Sequence, residues 1–303
     1  MESQPWPRET TVNKWGFRSL TSTPSAQELS KYYAERYYQE DLAIYQHTYE
    51  ELEKSWIQNT IVRKHFALKH FVPSLPENAR YLDVGCGEGH TLKYFRDLGW
   101  DVQGLDYSIQ GIRNHNPDLE YCVTAGDVFA SLNEFTTKES VFDVVWLDNV
   151  LEHVPDPLNL LESLHRVLAP NGVLVVEVPN DFSIIQEDLA GRGLIPDQSW
   201  VFAPDHISYF NREGLRSIAE DAGYVERGAM SNLPIEFFLY NPMSNYYAKR
   251  ELGKAAHEAR MMIESLFSHQ EPAKNLNLAV SMAEMGLGRE IFAVFTKNPD
   301  FQN

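Results

Sequence analysis

The stretch from Tyr81 to Ser108 constrains this chain more than any other. Tyr81 to Val84 reads as a short buried strand that runs straight into three alternating glycines, Gly85, Gly87 and Gly89. Glycine at such positions lets the backbone take positive φ and come close to a ligand. A helix-like run follows, then a second apolar strand, Val102 to Leu105, that ends in Asp106, 23 residues after Asp83. A strand–loop–helix unit of this kind sets the loop at the carboxyl end of a parallel strand, where open α/β sheets hold cofactors. An acid about that far along suits the two hydroxyls of a ribose.

The glycine spacing selects among cofactors. A dinucleotide fingerprint is G-x-G-x-x-G, with a helix N-terminus aimed at a pyrophosphate. Here the string is D-x-G-x-G-x-G, with Asp83 two residues before the first glycine. A carboxylate at that point repels a phosphate and suits a cationic ligand that carries an amino group. The stretch resembles motif I of the class I S-adenosylmethionine (SAM)-dependent methyltransferases. The resemblance implies a cradle of Gly85, Cys86, Gly87 and Gly89, with Asp83 and Asp106 as acidic contacts and Tyr107 beside the second. Taken alone, Cys86 is a small apolar filler between glycines.

Further apolar runs extend the sheet. Tyr121 to Thr124 is expected as a third strand, followed by Gly126-Asp127-Val128. In the resembled family an acid here bonds the adenine amino group, which makes Asp127 and Val128 cofactor candidates; by itself Asp127 reads equally as a helix cap. Phe142 to Leu147 is a near-continuous apolar run of the kind buried in a parallel sheet. It leads into Asp148-Asn149-Val150-Leu151-Glu152-His153-Val154-Pro155-Asp156-Pro157, where Asp156 should cap a helix that has Pro157 at its first position. Val173 to Val178, Tyr224 to Met230 and Ile291 to Thr296 supply three more strands. The string L-E-H-V-x-D-P followed by L-x-P-x-G resembles the branch that contains ubiquinone-biosynthesis O-methyltransferases and saccharide and natural-product methyltransferases. The fold implied is a Rossmann-like α/β fold with a seven-stranded, mostly parallel sheet, an N-terminal helical cap and a C-terminal insertion before the last strand.

The expected organisation is a flexible arm over 1–27, a helical cap over 28–76, a SAM-binding core over 77–230, a helical insertion over 231–289 and a last strand with tail over 290–303. The arm is rich in Pro, Ser and Thr and has no periodic apolar face. Tyr32, Tyr33, Tyr37, Tyr38 and Tyr45 crowd the cap, either as packing residues with wet hydroxyls or as a cover over the cofactor. The insertion, with a charged helical stretch from Tyr246 to Phe267, is expected to meet the acceptor or a second subunit of a homodimer.

Methyl transfer from a sulfonium is an in-line displacement, so the protein must chiefly align the acceptor. A hydroxyl acceptor also has to lose its proton, and histidine is the usual base because its pKa lies near operating pH. His153 follows the fourth strand, and His206 lies in an aromatic segment after the fifth that also holds Trp200, Tyr209 and Phe210. Each reads as base, acceptor contact or packing residue. Asn149, Glu152, Trp200 and Tyr209 are candidate acceptor contacts, and Asp148 a candidate cofactor contact. The ubiquinone-type relatives carry E-x-x-E-H here, a cluster able to hold a divalent metal. Asn149 stands at its first position, so no metal ligand is assigned.

The expected activity is transfer of a methyl group from SAM, with S-adenosylhomocysteine as product, to a small-molecule hydroxyl such as that of a saccharide or nucleotide sugar. N- or C-methylation of a natural-product intermediate and a non-catalytic SAM-binding subunit are the alternatives. A nicotinamide oxidoreductase is opposed by the glycine spacing and by Asp83. Against 26 Lys and Arg stand 43 Asp and Glu, a net charge of −17 that argues against nucleic-acid or anionic-membrane surfaces. Two cysteines, Cys86 and Cys122, and no long apolar run make a reducing cytoplasm the expected compartment.

Overall fold

The computed structural model describes residues 6–25, 28–29 and 48–301. Its centre is a seven-stranded sheet formed by β3 (Arg80–Val84), β4 (Asp101–Asp106), β5 (Val123–Ala125), β6 (Phe142–Asp148), β7 (Leu168–Pro179), β9 (Tyr224–Ser231) and β10 (Glu290–Lys297). The strand order is β5-β4-β3-β6-β7-β10-β9. The first five are parallel, and β10 runs antiparallel between β7 and β9. The chain reverses its direction of travel across the sheet between β3 and β6, the crevice where such sheets bind ligands.

Alternation along the strands sorts the core into two layers. Leu82, Val84, Val145, Leu147, Leu174 and Val176 face α5 (Pro157–Val167) and α7 (Arg212–Asp221). Tyr81, Val144, Trp146, Val173 and Val175 face α1 (Glu51–Phe71), α2 (His90–Asp97) and α9 (Pro272–Glu284). The second layer is aromatic at its heart: Phe95 stacks on Trp100 with ring centroids 4.3 Å apart and tilts against Tyr81 at 4.6 Å. Burying each such ring stabilises the fold by roughly 1.5–3 kcal/mol. Helix α5 starts where Asp156 accepts from Asn159 N and Pro157 occupies the first position, as the sequence suggests.

Three local readings need correction. The segment expected as a loose arm holds β1 (Thr10–Val12) and β2 (Arg18–Leu20), which pair in an antiparallel sheet of order β1-β2-β8 with β8 (Ser208–Tyr209). Phe17 is fully buried between them, its ring 4.3 Å from Phe210. Strands of three residues are too short to show a period, so tertiary packing decides here. The third strand starts later than read, because Pro117–Cys122 forms a 3₁₀ turn that leaves Tyr121 exposed. The insertion holds two helices where one stretch was expected: α8 (Gly253–Ser268) packs on α1, and α9 packs on β9. Tyr32, Tyr33, Tyr37, Tyr38 and Tyr45 lie outside the described residues.

Candidate active site

The glycine loop joins β3 to α2 over the carboxyl edge of the sheet. Gly85, Gly87 and Gly89 all have positive φ (78°, 53° and 77°). A Cβ at Gly85 would meet Val150 Cγ2 at 2.3 Å, whereas one at Gly87 would meet nothing within 4 Å. The first glycine is thus required by the loop after β6, and the second leaves open space above the backbone. Gly85 N and Cys86 N donate to Leu105 O at 2.7 and 3.1 Å. Asp106 completes the anchor: its carboxylate accepts from Gly87 N at 2.8 Å and from Ser108 N at 2.9 Å. Burial pushes the Asp106 carboxyl upward and these backbone donors pull against it. Tyr107, next in sequence, is exposed.

Asp83 is buried in the same crevice. Tyr81 Oη donates to it at 3.3 Å, and Thr91 Oγ1 donates to the same oxygen. Burial lifts its pKa to about 7 against these two donors, with Asp148 adding a like charge. Asp148, at the end of β6, accepts from Lys64 Nζ at 2.6 Å and from Asn149 Nδ2 at 2.9 Å. Lys64 also reaches Glu177 Oε2 at 3.0 Å. Burial alone would push the Lys64 ammonium down, but Asp148 and Glu177 outweigh it and hold the pKa well above the usual lysine range. Glu177 is raised well above the carboxylate range, chiefly by burial despite Lys64. Lys64 therefore stands between two carboxyl groups, 2.6 Å from Asp148 and 3.0 Å from Glu177.

Beyond β6, Glu152 and His153 lie in a short 3₁₀ turn. The backbone of Ile207 donates to Glu152 O at 2.8 Å, which joins this turn to the aromatic segment. The rings of His153 and His206 meet edge to face, 4.9 Å apart. His153 Nδ1 lies 2.6 Å from Asp205 O. A carbonyl only accepts, so Nδ1 carries the proton and Nε2 offers a lone pair. Burial lowers the His153 pKa, and Asp205, whose carboxylate is 3.8 Å from Nδ1, opposes this. His206 is pushed down to about 3 by burial and by His153 and Arg289. Glu152 is fully buried, neither of its carboxyl oxygens has a hydrogen-bond partner, and burial raises its pKa well above the usual range. Ligand atoms of Glu152, His153 and His206 lie within 4.8 Å of one another, so this trio could hold a divalent ion even with Asn149 in the first position of the family pattern.

Other sequence candidates have local structural roles. Asp127 caps α4 (Val128–Thr137) by accepting from Ala130 N at 2.8 Å, and Val128 is the first residue of that helix. Asn149 has φ 55° and is exposed. Trp200 and Tyr209 belong to a separate buried cluster with Phe182, Ile185 and Leu189, and Tyr209 Oη donates to His206 O at 2.8 Å. Tyr209 thus packs beside His206, and Trp200 packs against Phe182. Lys64 escaped the sequence reading, although Glu177 within an otherwise apolar strand signals a buried cation nearby.

A family profile described as a methyltransferase domain matches residues 58–226. The chain belongs to that family. It is a SAM-dependent methyltransferase. It is 26% identical over 218 residues to the ubiquinone biosynthesis O-methyltransferase of Psychrobacter arcticus, covering 66% of this chain and 79% of the relative. It is 29% identical over 163 residues to the 2-methyl-6-phytyl-1,4-hydroquinone methyltransferase of Synechocystis sp., covering 50% of this chain and 48% of the relative. Among solved structures, a SAM-dependent methyltransferase from Archaeoglobus fulgidus aligns at 18% identity with a TM-score of 0.47, covering 79% of this chain and 94% of that one. No helix of the described residues is long and apolar enough to cross a membrane.

Proposed function

We propose that this methyltransferase methylates a hydroxyl oxygen of a small molecule, with His153 as the general base. The observation that carries the reading is the His153 tautomer, fixed by Asp205 O at 2.6 Å. With Nδ1 committed to that carbonyl, Nε2 can take a proton, and the adjacent Asp205 carboxylate stabilises the imidazolium that results. His206 is a weaker base, because a pKa near 3 gives it little pull on a proton. Its ring instead walls the acceptor against His153.

The residues fit SAM on three grounds: open backbone over Gly87, a buried carboxylate at Asp83, and a second acid at the end of β4. SAM, when bound, supplies a methyl group already activated on a sulfonium. Gly85, Cys86, Gly87 and Gly89 would cradle it, with Asp83 available to its ammonium, Asp106 and Tyr107 to its ribose, and Asp127 and Val128 to its adenine. Asp148 electrostatically influences both Asp83 and Glu152, linking the cofactor side of the crevice to the acceptor side. The acceptor then lies between the histidines and Asn149 and Glu152, with Trp200 and Tyr209 supporting the wall. The names of the relatives favour trying quinol hydroxyls beside saccharides and nucleotide sugars. Mass spectrometry of these acceptors after incubation with SAM should show an O-methyl product. A methyl found on carbon or nitrogen overturns the reading.

Asp106→Ala should weaken SAM binding by about 1.5–3 kcal/mol, the loss of a charged acceptor, and should also free Gly87 N from its 2.8 Å anchor. Asp106→Asn keeps an acceptor and should lose less. Unchanged affinity in calorimetry for the alanine variant would remove Asp106 from the cofactor site.

Asp83 predicts a proton linkage. Its pKa of about 7 in the folded protein lies above the unfolded value, so its contribution to stability is full at low pH and is lost as the pH rises through about 7. Below that pH the free protein holds a proton on Asp83. An ammonium set against it favours the carboxylate, so binding expels the proton. SAM affinity should rise with pH by up to about tenfold per unit and flatten once Asp83 is ionised in the free protein. Titrations in buffers of different ionisation enthalpy should show proton release at pH 6 and none in Asp83→Asn. Equal release in both proteins assigns the proton elsewhere.

A further inference from the structure

The glycine loop carries a second cluster, away from the histidines beyond β6. Glu88 lies between the second and third glycines, His90 opens α2, and His115 closes α3 (Gln110–His115). We propose that Glu88, His90 and His115 form a binding site for a divalent transition metal of the zinc type.

The donor set is a carboxylate and two imidazoles, the combination that zinc and its neighbours favour. Glu88 Oε2 lies 2.9 Å from His90 Nε2, and Glu88 Oε1 lies 3.2 Å from His115 Nε2. Bonds of about 2.0–2.2 Å in a tetrahedral shell place neighbouring donor atoms about 3.3–3.6 Å apart. The observed separations come within a few tenths of an ångström of that, and one ligand atom from each residue can be chosen so that all lie within 4.8 Å of one another.

Both histidines lie within ion-pair distance of Glu88, but only His90 makes a hydrogen bond to it. His115 has a side chain only 8% exposed, and its Nε2 is buried without a hydrogen-bond partner even though Glu88 stands 3.2 Å away. Its approach to the carboxylate lacks the line of an N–H donor. A buried imidazole nitrogen left unpaired costs free energy, and a metal ion between it and Glu88 removes that cost. An outer layer is also in place: Tyr49 Oη donates to Glu88 Oε2 at 2.6 Å, and Asn116 Nδ2 donates to Glu88 O at 2.7 Å. Such partners orient metal ligands and tune them. Among the described residues, His90, His115 and Tyr49 border a cavity of about 620 Å³, from which water would supply the fourth ligand. The ion would clamp the glycine loop to the start of α2, the end of α3 and the segment that leads into α1.

The probes are Zn²⁺ and Co²⁺ on the full chain stripped with chelator. Cobalt should give the intense visible bands of a four-coordinate ion, displaced by one equivalent of zinc. His153→Ala/His206→Ala should retain that equivalent, because it leaves this cluster whole. Glu88→Gln and His115→Ala should lose the bands and the metal-induced rise in Tm, and Tyr49→Phe should weaken binding by about 10–100-fold. If His115→Ala fails to fold without metal, Glu88→Gln decides. Absence of any bound equivalent overturns the proposal. So does an equivalent that vanishes in His153→Ala/His206→Ala and survives in Glu88→Gln.

Discussion

Replacing His153 with alanine should lower kcat by about 10²–10⁴-fold, the span of general-base catalysis, and leave SAM affinity unchanged. The argument rests on orientation. Asp205 O takes the Nδ1 proton at 2.6 Å, so the imidazole is held in one tautomer and one rotation. The pH profile supplies a readout that a packing role would not move. A base must be neutral to act, and burial lowers the His153 pKa below its usual value. Activity should therefore fall on the acid side of pH 6.5, through the lowered pKa, and be level above it. That limb should vanish in His153→Ala. His206→Ala should cost less, since burial leaves that ring a poor base near pKa 3. If His206→Ala takes the larger loss and abolishes the acid limb, the roles are exchanged. If neither variant slows turnover, the acceptor needs no base.

The sheet was legible because its strands are long apolar runs with glycine or acid at their ends. Phe142–Asp148 and Glu290–Lys297 lie within a residue of where the pattern sets them. The small sheet was not legible, because β1, β2 and β8 carry two or three residues each and are held by long-range pairing, such as Arg18 to Tyr209. Phe17 gave no local sign of burial: its partners Phe210 and Gly214 lie nearly two hundred residues away. A chain of local signals cannot show a contact of that range.

The site divides in the same way. Asp83, the glycines and Asp106 lie on one strand–loop–strand unit, so their spacing alone brings them together. His153 and His206 could be named from residue type, but which of them presents a lone pair depends on Asp205 O, a backbone group that no side-chain pattern encodes. Trp200 and Tyr209 were named from aromatic composition, and the same composition serves a buried cluster with Ile185 and Leu189. The Glu88–His115 pairing joins a loop to the end of a short helix, and only the fold makes those neighbours.

Lys64 shows how a stability effect can hide in a charged helix face. Within Arg63-Lys64-His65 it looks solvated, yet α1 turns it inward with Ile61, Ala67 and Leu68 on the buried stripe. Lys64→Met should destabilise the fold by about 3–5 kcal/mol, the cost of breaking a buried ion pair by removing one partner. That is a large share of the roughly 5–15 kcal/mol that holds a typical domain folded, and urea denaturation would show it directly. The loss comes from what is left behind, since Asp148 loses its 2.6 Å partner and Glu177 its 3.0 Å partner. Glu177, already raised by burial, can protonate and limit the damage at low pH. The deficit of Lys64→Met should therefore grow as the pH rises. Lys64→Met/Glu177→Met should recover part of the stability, because an apolar pair of similar volume is no worse in a buried layer than the ions it replaces. If the double variant is as unstable as the single one, and the deficit ignores pH, then Lys64 acts through its methylene packing and its charge is incidental.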